Sequence, residues 1–358
     1  MTYLFDFIIF FILFYSGFWM YLIIRSFFSD KKDKVRTRIV RVIGLFFLLI
    51  IFSTIFYGSF IEPQRIVVTD YKVNLNKTEV TENIKVVFIS DLHVGWYKDF
   101  VFVERVVDKI KKQNPDLVLL GGDYIFDRES DAEYLFPLQS LSELYPVYAV
   151  LGNHEFNQAK YGDPSYKDQS QTVRKLFAEW GIKLLVNENK IVEIDGNKLS
   201  IIGIDDLFHY GNDLEIARKG LSSDISRILL SHNPDIIEDE SFHSIDLTLS
   251  GHTHAGQIRL PYWGPVSSLP VNLDRTFDKG WFDLGKKGQL LISSGLGESG
   301  TRARLYNPPE IVVVDLDLLE SELAKLAKLR KPPISVKENG NKVPIYNVIT
   351  QETLISSV

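Results

Sequence analysis

Two stretches without a charged residue, Phe7 to Ile24 and Val42 to Ile61, constrain this chain more than any other feature. They are 18 and 20 residues long. As helices rising about 1.5 Å per residue they reach about 27–30 Å, enough to cross the core of a bilayer. Lipid offers no hydrogen-bond partners, so the backbone of such a run must satisfy itself, and a helix does that. The competing reading is a pair of buried core helices, but those usually keep a polar face, and these runs have none. A cleaved signal peptide fits poorly: no basic residue precedes the first run, and a second apolar run follows closely. Between the runs stand Arg25, Lys31, Lys32, Lys34, Arg36, Arg38 and Arg41 against Asp30 and Asp33. The positive-inside rule puts that loop in the cytoplasm and both termini outside. The expectation is a multi-pass hairpin in the cell (inner) membrane. The lipid bilayer is then a partner, and the bulk of the chain lies on the extracytoplasmic face.

From Glu62 onward the residues read as a soluble domain. The whole chain of 358 residues is 45% hydrophobic and 24% charged, which is globular. Its net charge of −6 gives no case for nucleic acid as a partner. With no cysteine there are neither disulfides nor thiolate metal sites. Short runs rich in branched aliphatics read as strands apolar on both faces: Lys85–Ser90, Leu117–Leu120, Val147–Leu151, Leu199–Ile204, Arg227–Ser231, Asp246–Leu249, Gln289–Ser293 and Glu310–Asp315. Phe100–Gln113 and Gln171–Trp180 carry the helical period. Asp195-Gly196, between Ile191–Ile194 and Leu199–Ile202, marks a hairpin. The chain divides into a hairpin of spans over 1–61, a main domain over 62–317, and a tail over 318–358. In the tail Leu318–Arg330 reads as an amphipathic helix, acidic early and basic late, that packs on the domain and stops at Pro332-Pro333; Asn339-Gly340 then suggests a small hairpin.

The chemistry sits in five patches: Asp91-Leu92-His93, Gly121-Gly122-Asp123, Gly152-Asn153-His154-Glu155, Ser231-His232 and Gly251-His252-Thr253-His254. Each falls where an expected strand ends, which is where open α/β sheets collect ligands. The glycines fit tight turns and close approach of backbone to an ion or phosphate. Carboxylates, an amide and imidazoles offer oxygen and nitrogen only, a set suited to divalent Mn, Fe or Zn. On an extended segment His252 and His254 would share a face.

In order and spacing these patches resemble the signature of the calcineurin-like metallophosphoesterases, from about Lys85 to Asp315. The final stretch, Ser293-Ser294-Gly295-Leu296-Gly297 through Arg304 to Pro308-Pro309-Glu310-Ile311, is similar to a membrane-associated bacterial branch of that family. The resemblance implies a four-layer α-β-β-α sandwich of two mixed sheets, here preceded by two transmembrane helices. It implies two divalent ions as cofactor. Asp91, His93 and His254 would ligate one, Asn153, His232 and His252 the other, and Asp123 would bridge. A hydroxide held between the ions would attack phosphorus, and His154 would protonate the leaving oxygen or steady the transition state. The activity so implied is hydrolysis of a phosphodiester or diphosphate.

Tethering by two spans turns attention to amphiphilic, lipid-linked phosphates as substrates. Were the domain to face the cytoplasm, a UDP-2,3-diacylglucosamine-type diphosphatase would fit instead; a non-catalytic membrane-tethered binding domain is the third reading, and it would be expected to lack ligands. Glu155 either orients His154 or is a solvated turn residue. Arg304, and less so Arg302, is a candidate to hold substrate phosphate. His209 and His243 fit no patch and read as structural or surface residues. The five tryptophans read as core and interface packing residues, not as a platform for stacking bases.

Overall fold

A computed structural model describes residues 2–29, 34–75, 84–126, 130–156, 168–317, 335–338 and 341–344. The charge-free runs fall on α1 (Thr2–Ser29) and α2 (Val35–Phe56), the latter continued by a wider turn over Tyr57–Ile61. Both helices are long and apolar enough to cross a membrane. They run antiparallel: Phe10 meets Phe60, Gly17 faces Phe52, and Ile23 faces Gly44. The start of α1 therefore lies beside the end of α2. The start of α1 rests on the main domain through Tyr3 on Trp96 and Asp6 with Tyr97 and Arg302, and the turn that continues α2 does so through Gly58 O, which accepts the Arg304 N–H, and through Phe60 under Arg302.

The main domain holds two six-stranded sheets. The first contains β1 (Val67–Asn74), β2 (Ile84–Ile89), β3 (Leu117–Leu120), β4 (Val147–Ala149), β5 (Lys183–Leu184) and β14 (Glu310–Asp317), in the order β1-β14-β2-β3-β4-β5. The second contains β6 (Glu188–Ile194), β7 (Asn197–Gly203), β8 (Ser226–Leu230), β9 (Leu247–Ser250), β12 (Gly280–Asp283) and β13 (Gln289–Ile292), in the order β12-β13-β9-β8-β7-β6. In the first only the β14–β2 pairing is antiparallel; in the second the β6–β7 and β12–β13 pairings are. A short ribbon, β10 (Arg259–Leu260) with β11 (Gly264–Pro265), stands apart from both.

Alternation along the strands makes the layers. On β2, Ile84, Val86 and Phe88 enter the core between the sheets, while Val87 and Ile89 face the helical layer. On β8, Ile228 and Leu230 enter the shared core, and Leu229 turns to the opposite outer face. The outer face of the first sheet is covered by α3 (Phe100–Gln113) and α5 (Ser170–Glu179), with the single turn α4 (Gln139–Ser142) beside them. The outer face of the second is covered by the short α6 (Leu214–Ala217) with Ile236, Ile237 and Phe242. Asp99 caps α3 through the Phe102 N–H, and Asn114 ends it in the left-handed conformation before a proline. Asp195 and Gly196 both have positive φ, 49° and 79°, as a two-residue hairpin turn requires. The sandwich is thus the expected four-layer one. β1, β5, β12 and the β10–β11 ribbon were not anticipated. In the tail, β15 (Ser335–Glu338) and β16 (Asn341–Pro344) pair antiparallel. The helix expected over 318–330 lies outside the described residues.

Candidate metal centre

The loops leaving five parallel strands meet at one edge of the sandwich. Asp91 and His93 follow β2, Asp123 follows β3, Asn153 and His154 follow β4, His232 follows β8, and His252 and His254 follow β9. The two sheets are stitched there. The His252 N–H donates to Asp91 Oδ1 at 3.1 Å, Leu296 N–H to Ser90 O at 3.1 Å, and His232 Nδ1–H to Gly121 O at 2.8 Å. Asp91, His93, Asp123, His252 and His254 all sit at positive φ, between 46° and 68°. Non-glycine residues avoid that region, and such strain gathers where function holds it. At Gly251 an added Cβ would overlap Ser90 Oγ and Asp91 Oδ2; at Gly122, with φ 92°, it would meet Gly152 N at 2.6 Å.

Ligand atoms fall into two clusters, joined by a third group of His93, Asp123 and His154. In one, Asp91, His93 and His254 come together: His254 Nε2 lies 3.1 Å from His93 Nε2 and 3.4 Å from Asp91 Oδ1. In the other are Asp123, His232 and His252, with His252 Nδ1 3.2 Å from His232 Nε2. Asp123 Oδ2 stands between them, 3.5 Å from His93 Nε2 and 3.1 Å from His232 Nε2. The turn at 252–254 sends the two imidazoles to different clusters, where an extended segment would have kept them together. Asn153 carries a buried Oδ1 with no hydrogen-bond partner among the described residues. A neutral oxygen left without a partner in such company fits a cation ligand.

Carbonyls fix the histidines. His232 Nδ1–H donates to Gly121 O at 2.8 Å, so Nε2 is the atom turned to Asp123. His252 Nε2–H donates to Pro270 O at 3.1 Å and leaves Nδ1 for the centre. His154 Nδ1–H donates to Phe126 O at 2.8 Å, and its ring stands edge-on to His93 at 4.5 Å. Burial pushes the Asp91 carboxyl up to about 6, helped by Asp123. Burial also holds His93 and His254 well below the usual histidine range, which keeps them neutral and able to ligate. Burial would lower His232 too, but the Asp123 and Asp91 carboxylates outweigh it and raise that ring. Carboxylates packed among imidazoles, one carboxylate common to two clusters, and a spare amide oxygen make a donor set that fits two divalent ions.

Several side chains do other work than the sequence suggests. Glu155 is fully buried and neither solvated nor turned to the His154 ring. It accepts the N–H groups of Asp123, Tyr124, Ile125 and Gly152 at 2.7–3.1 Å, a strap that ties the Asp123 loop to the Asn153 turn. Arg304 is a correction. Its side chain is 0% exposed and its guanidinium is spent inside the protein, on the carbonyls of Ser294, Gly295, Gly297 and Asn307 and on Glu298. No donor is left for a substrate phosphate. Arg302 instead lies over Tyr97 and Phe60 and near Asp6. His209 stacks on Phe156, and His243 contacts Arg218. Of the tryptophans, Trp180 is buried in the core, Trp96 packs edge-on to Tyr3, and Trp263 and Trp281 are exposed.

Asp206 was missed. It follows β7, its Oδ2 is buried without a hydrogen-bond partner among the described residues, and burial raises its carboxyl to about 6 while His232 draws it down. The strand-end rule that found the other patches applies equally to Asp205-Asp206. Asn307, whose Nδ2 donates to His254 O at 2.7 Å, gave no signal in sequence.

The family model of the calcineurin-like phosphoesterases matches residues 84–256, a span that contains all seven candidate ligands and His154. An uncharacterized metallophosphoesterase of Campylobacter jejuni is 30% identical over 296 residues, covering 80% of this chain and 73% of that protein. The uncharacterized metallophosphoesterase YkuE of Bacillus subtilis is 28% identical over 265 residues, 73% of this chain and 88% of the relative. The phosphodiesterase YaeI of Escherichia coli is 30% identical over 240 residues, 65% of this chain and 82% of the relative.

Proposed function

Because this chain belongs to the calcineurin-like metallophosphoesterases and is a metal-dependent hydrolase of phosphate esters, we propose that it acts on a phosphodiester or diphosphate at a membrane surface. Asp91, His93 and His254 would hold one divalent ion. Asn153, His232 and His252 would hold the other, with Asp123 in reach of both groups. Mn, Fe and Zn all suit these ligands. When bound, such a pair supplies Lewis acidity to phosphate oxygens and a strong nucleophile at neutral pH.

The chain's own residues supply the rest. His154 lies at the rim, half-buried, with Nδ1 fixed on Phe126 O. Its other nitrogen donates a proton to the leaving oxygen. Glu155, through its four backbone N–H acceptances, keeps Asp123 and Asn153 at their spacing. Asn307 holds the His254 turn from behind. The name of the E. coli relative supports a diester, and α1 and α2 support anchoring. The basic residues between them support a cytoplasmic loop with the domain outside. A substrate with an acyl or prenyl anchor then meets the centre without leaving its leaflet.

The observation that carries this reading is the position of Asp123 Oδ2 between the imidazoles of His93 and His232. The test is hydrolysis of bis(p-nitrophenyl) phosphate by the purified full chain with and without Mn²⁺. Metal-dependent turnover that vanishes in Asp123→Asn supports it. Absence of turnover with several diesters and diphosphates in the presence of Mn²⁺, Fe²⁺ and Zn²⁺ would sink it.

A further inference from the structure

The β10–β11 ribbon carries aromatic residues that the protein leaves in the open. Tyr262 is fully exposed, Trp263 is 72% exposed, and Leu260, Val266 and Tyr306 beside them are about half exposed or more. Tyr262 stands at φ 64°, a strained backbone for a tyrosine, with nothing in the fold to hold its ring. The ribbon overhangs a cavity of about 540 Å³ bounded on the far side by Arg275, Thr276 and Asp278, so its tip is not packed on the body of the domain. Arg259 at its base is already paired with Asp278 at 2.5 Å, which leaves the tip uncharged. Exposed apolar groups gathered in this way mark a surface that something covers.

Hydrogen bonds relate the ribbon to the end of the second apolar run in two rungs. On the first, Asn307 N–H donates to Glu62 and Asn307 Nδ2 to His254 O. On the second, Arg304 N–H donates to Gly58 O, Leu305 N–H to Gln257 O, and Arg259 N–H to Leu305 O. Gly58 lies inside the apolar run, one turn before Glu62, the first residue past it. Passing from His254 through Gln257 to Arg259 thus moves from the level of the metal centre towards the level of the bilayer, and the ribbon tip lies three residues further on. At the start of α1, Tyr3 and Trp96 form another exposed aromatic pair at the same end of the helix hairpin. Tyrosine and tryptophan favour the boundary between headgroups and acyl chains, where one edge of the ring is wet and the rest is apolar.

We propose that Tyr262 and Trp263, flanked by Leu260 and Tyr306, insert into the bilayer interface beside the end of α2. They would then form a second point of membrane contact that holds the metal centre at a fixed height and tilt over the lipid headgroups. This rests on the reading of α1 and α2 as spans. The occupant is the lipid surface.

The native chain has no cysteine, so single nitroxide labels report without background. Full-length Tyr262→Cys, Phe14→Cys and Ile216→Cys would be labelled and reconstituted in phosphatidylcholine–phosphatidylglycerol vesicles. Collision with oxygen, which enters lipid, and with a nickel chelate, which stays in water, would then be measured. The proposal predicts that the oxygen-to-chelate ratio at 262 shifts well above that at 216, towards the value at 14. A label at 262 as water-accessible as that at 216, with 14 in lipid, overturns it and leaves the spans intact. A label at 262 shielded from both reagents means a protein contact, such as a second copy, and overturns it too. If the label at 14 is also in water, the spanning reading fails and the ribbon proposal fails with it.

Discussion

At the level of single residues, this centre is held by closely packed backbone and by buried, hydrogen-bonded side chains. Gly251 has no room for a methyl group against Asp91, so Gly251→Ala should release metal while leaving the fold intact. Elemental analysis beside circular dichroism checks it. Glu155→Gln replaces an acceptor of four N–H groups with one that turns two donors of its own toward them. Metal affinity should fall about 10–100-fold, the usual cost of losing an outer partner, read by titration with Mn²⁺. His154→Ala should lower kcat by about 10²–10⁴-fold with both metal sites still filled. Loss of metal in that variant would instead make His154 a ligand. The ligand residues were legible because the chemistry needs fixed side-chain types at strand ends. Glu155 and Arg304 were not, because a charged side chain in a glycine-rich loop looks the same in sequence whether it meets substrate or its own backbone. Only their burial separates the two.

Among elements, the strands that flank the centre were readable to within a residue or two, since apolar runs such as Leu117–Leu120 are buried on both faces and stop at the site. β1 escaped notice because it lies at a sheet edge and interleaves Thr69, Asp70 and Lys72 with its apolar residues. The β10–β11 ribbon has two-residue strands and no periodicity to detect. The segment from Ser293 to Asn307 joins the two halves of the molecule. Its glycines press on Asp91 and Leu92, its Arg304 gathers four carbonyls, and its Asn307 links Glu62 to the His254 turn. Arg304→Met should cost about 3–5 kcal/mol, because four buried carbonyls lose their donor together and Glu298 is left with Lys98 alone. Thermal unfolding of the purified variant checks this. A change in KM with an unchanged melting temperature would mean that Arg304 meets substrate after all.

Across the whole molecule, the helix hairpin and the metal centre are not independent parts. The last turn of α2 is bonded to the loop that braces His254, and the first turn of α1 rests on Tyr97 and Arg302. The bilayer, if α1 and α2 cross it, lies a few residues from the chemistry. On the proposed orientation, with the domain outside, a membrane-impermeant thiol reagent applied to intact cells should label Ile216→Cys and spare Thr37→Cys. The reverse pattern would move the search for substrates to cytoplasmic lipid precursors. Sidedness is legible only as a charge bias, whereas the two-cluster centre is visible in the arrangement of its residues.

The measurement closest to the central claim is electron paramagnetic resonance of the full chain loaded with Mn²⁺. If Asp123 joins two ions, the spectrum is that of an exchange-coupled pair, two ions bind per chain, and Asp123→Asn abolishes the coupling. Isolated six-line signals from a single ion, or two uncoupled ones, would contradict a centre built on a shared carboxylate.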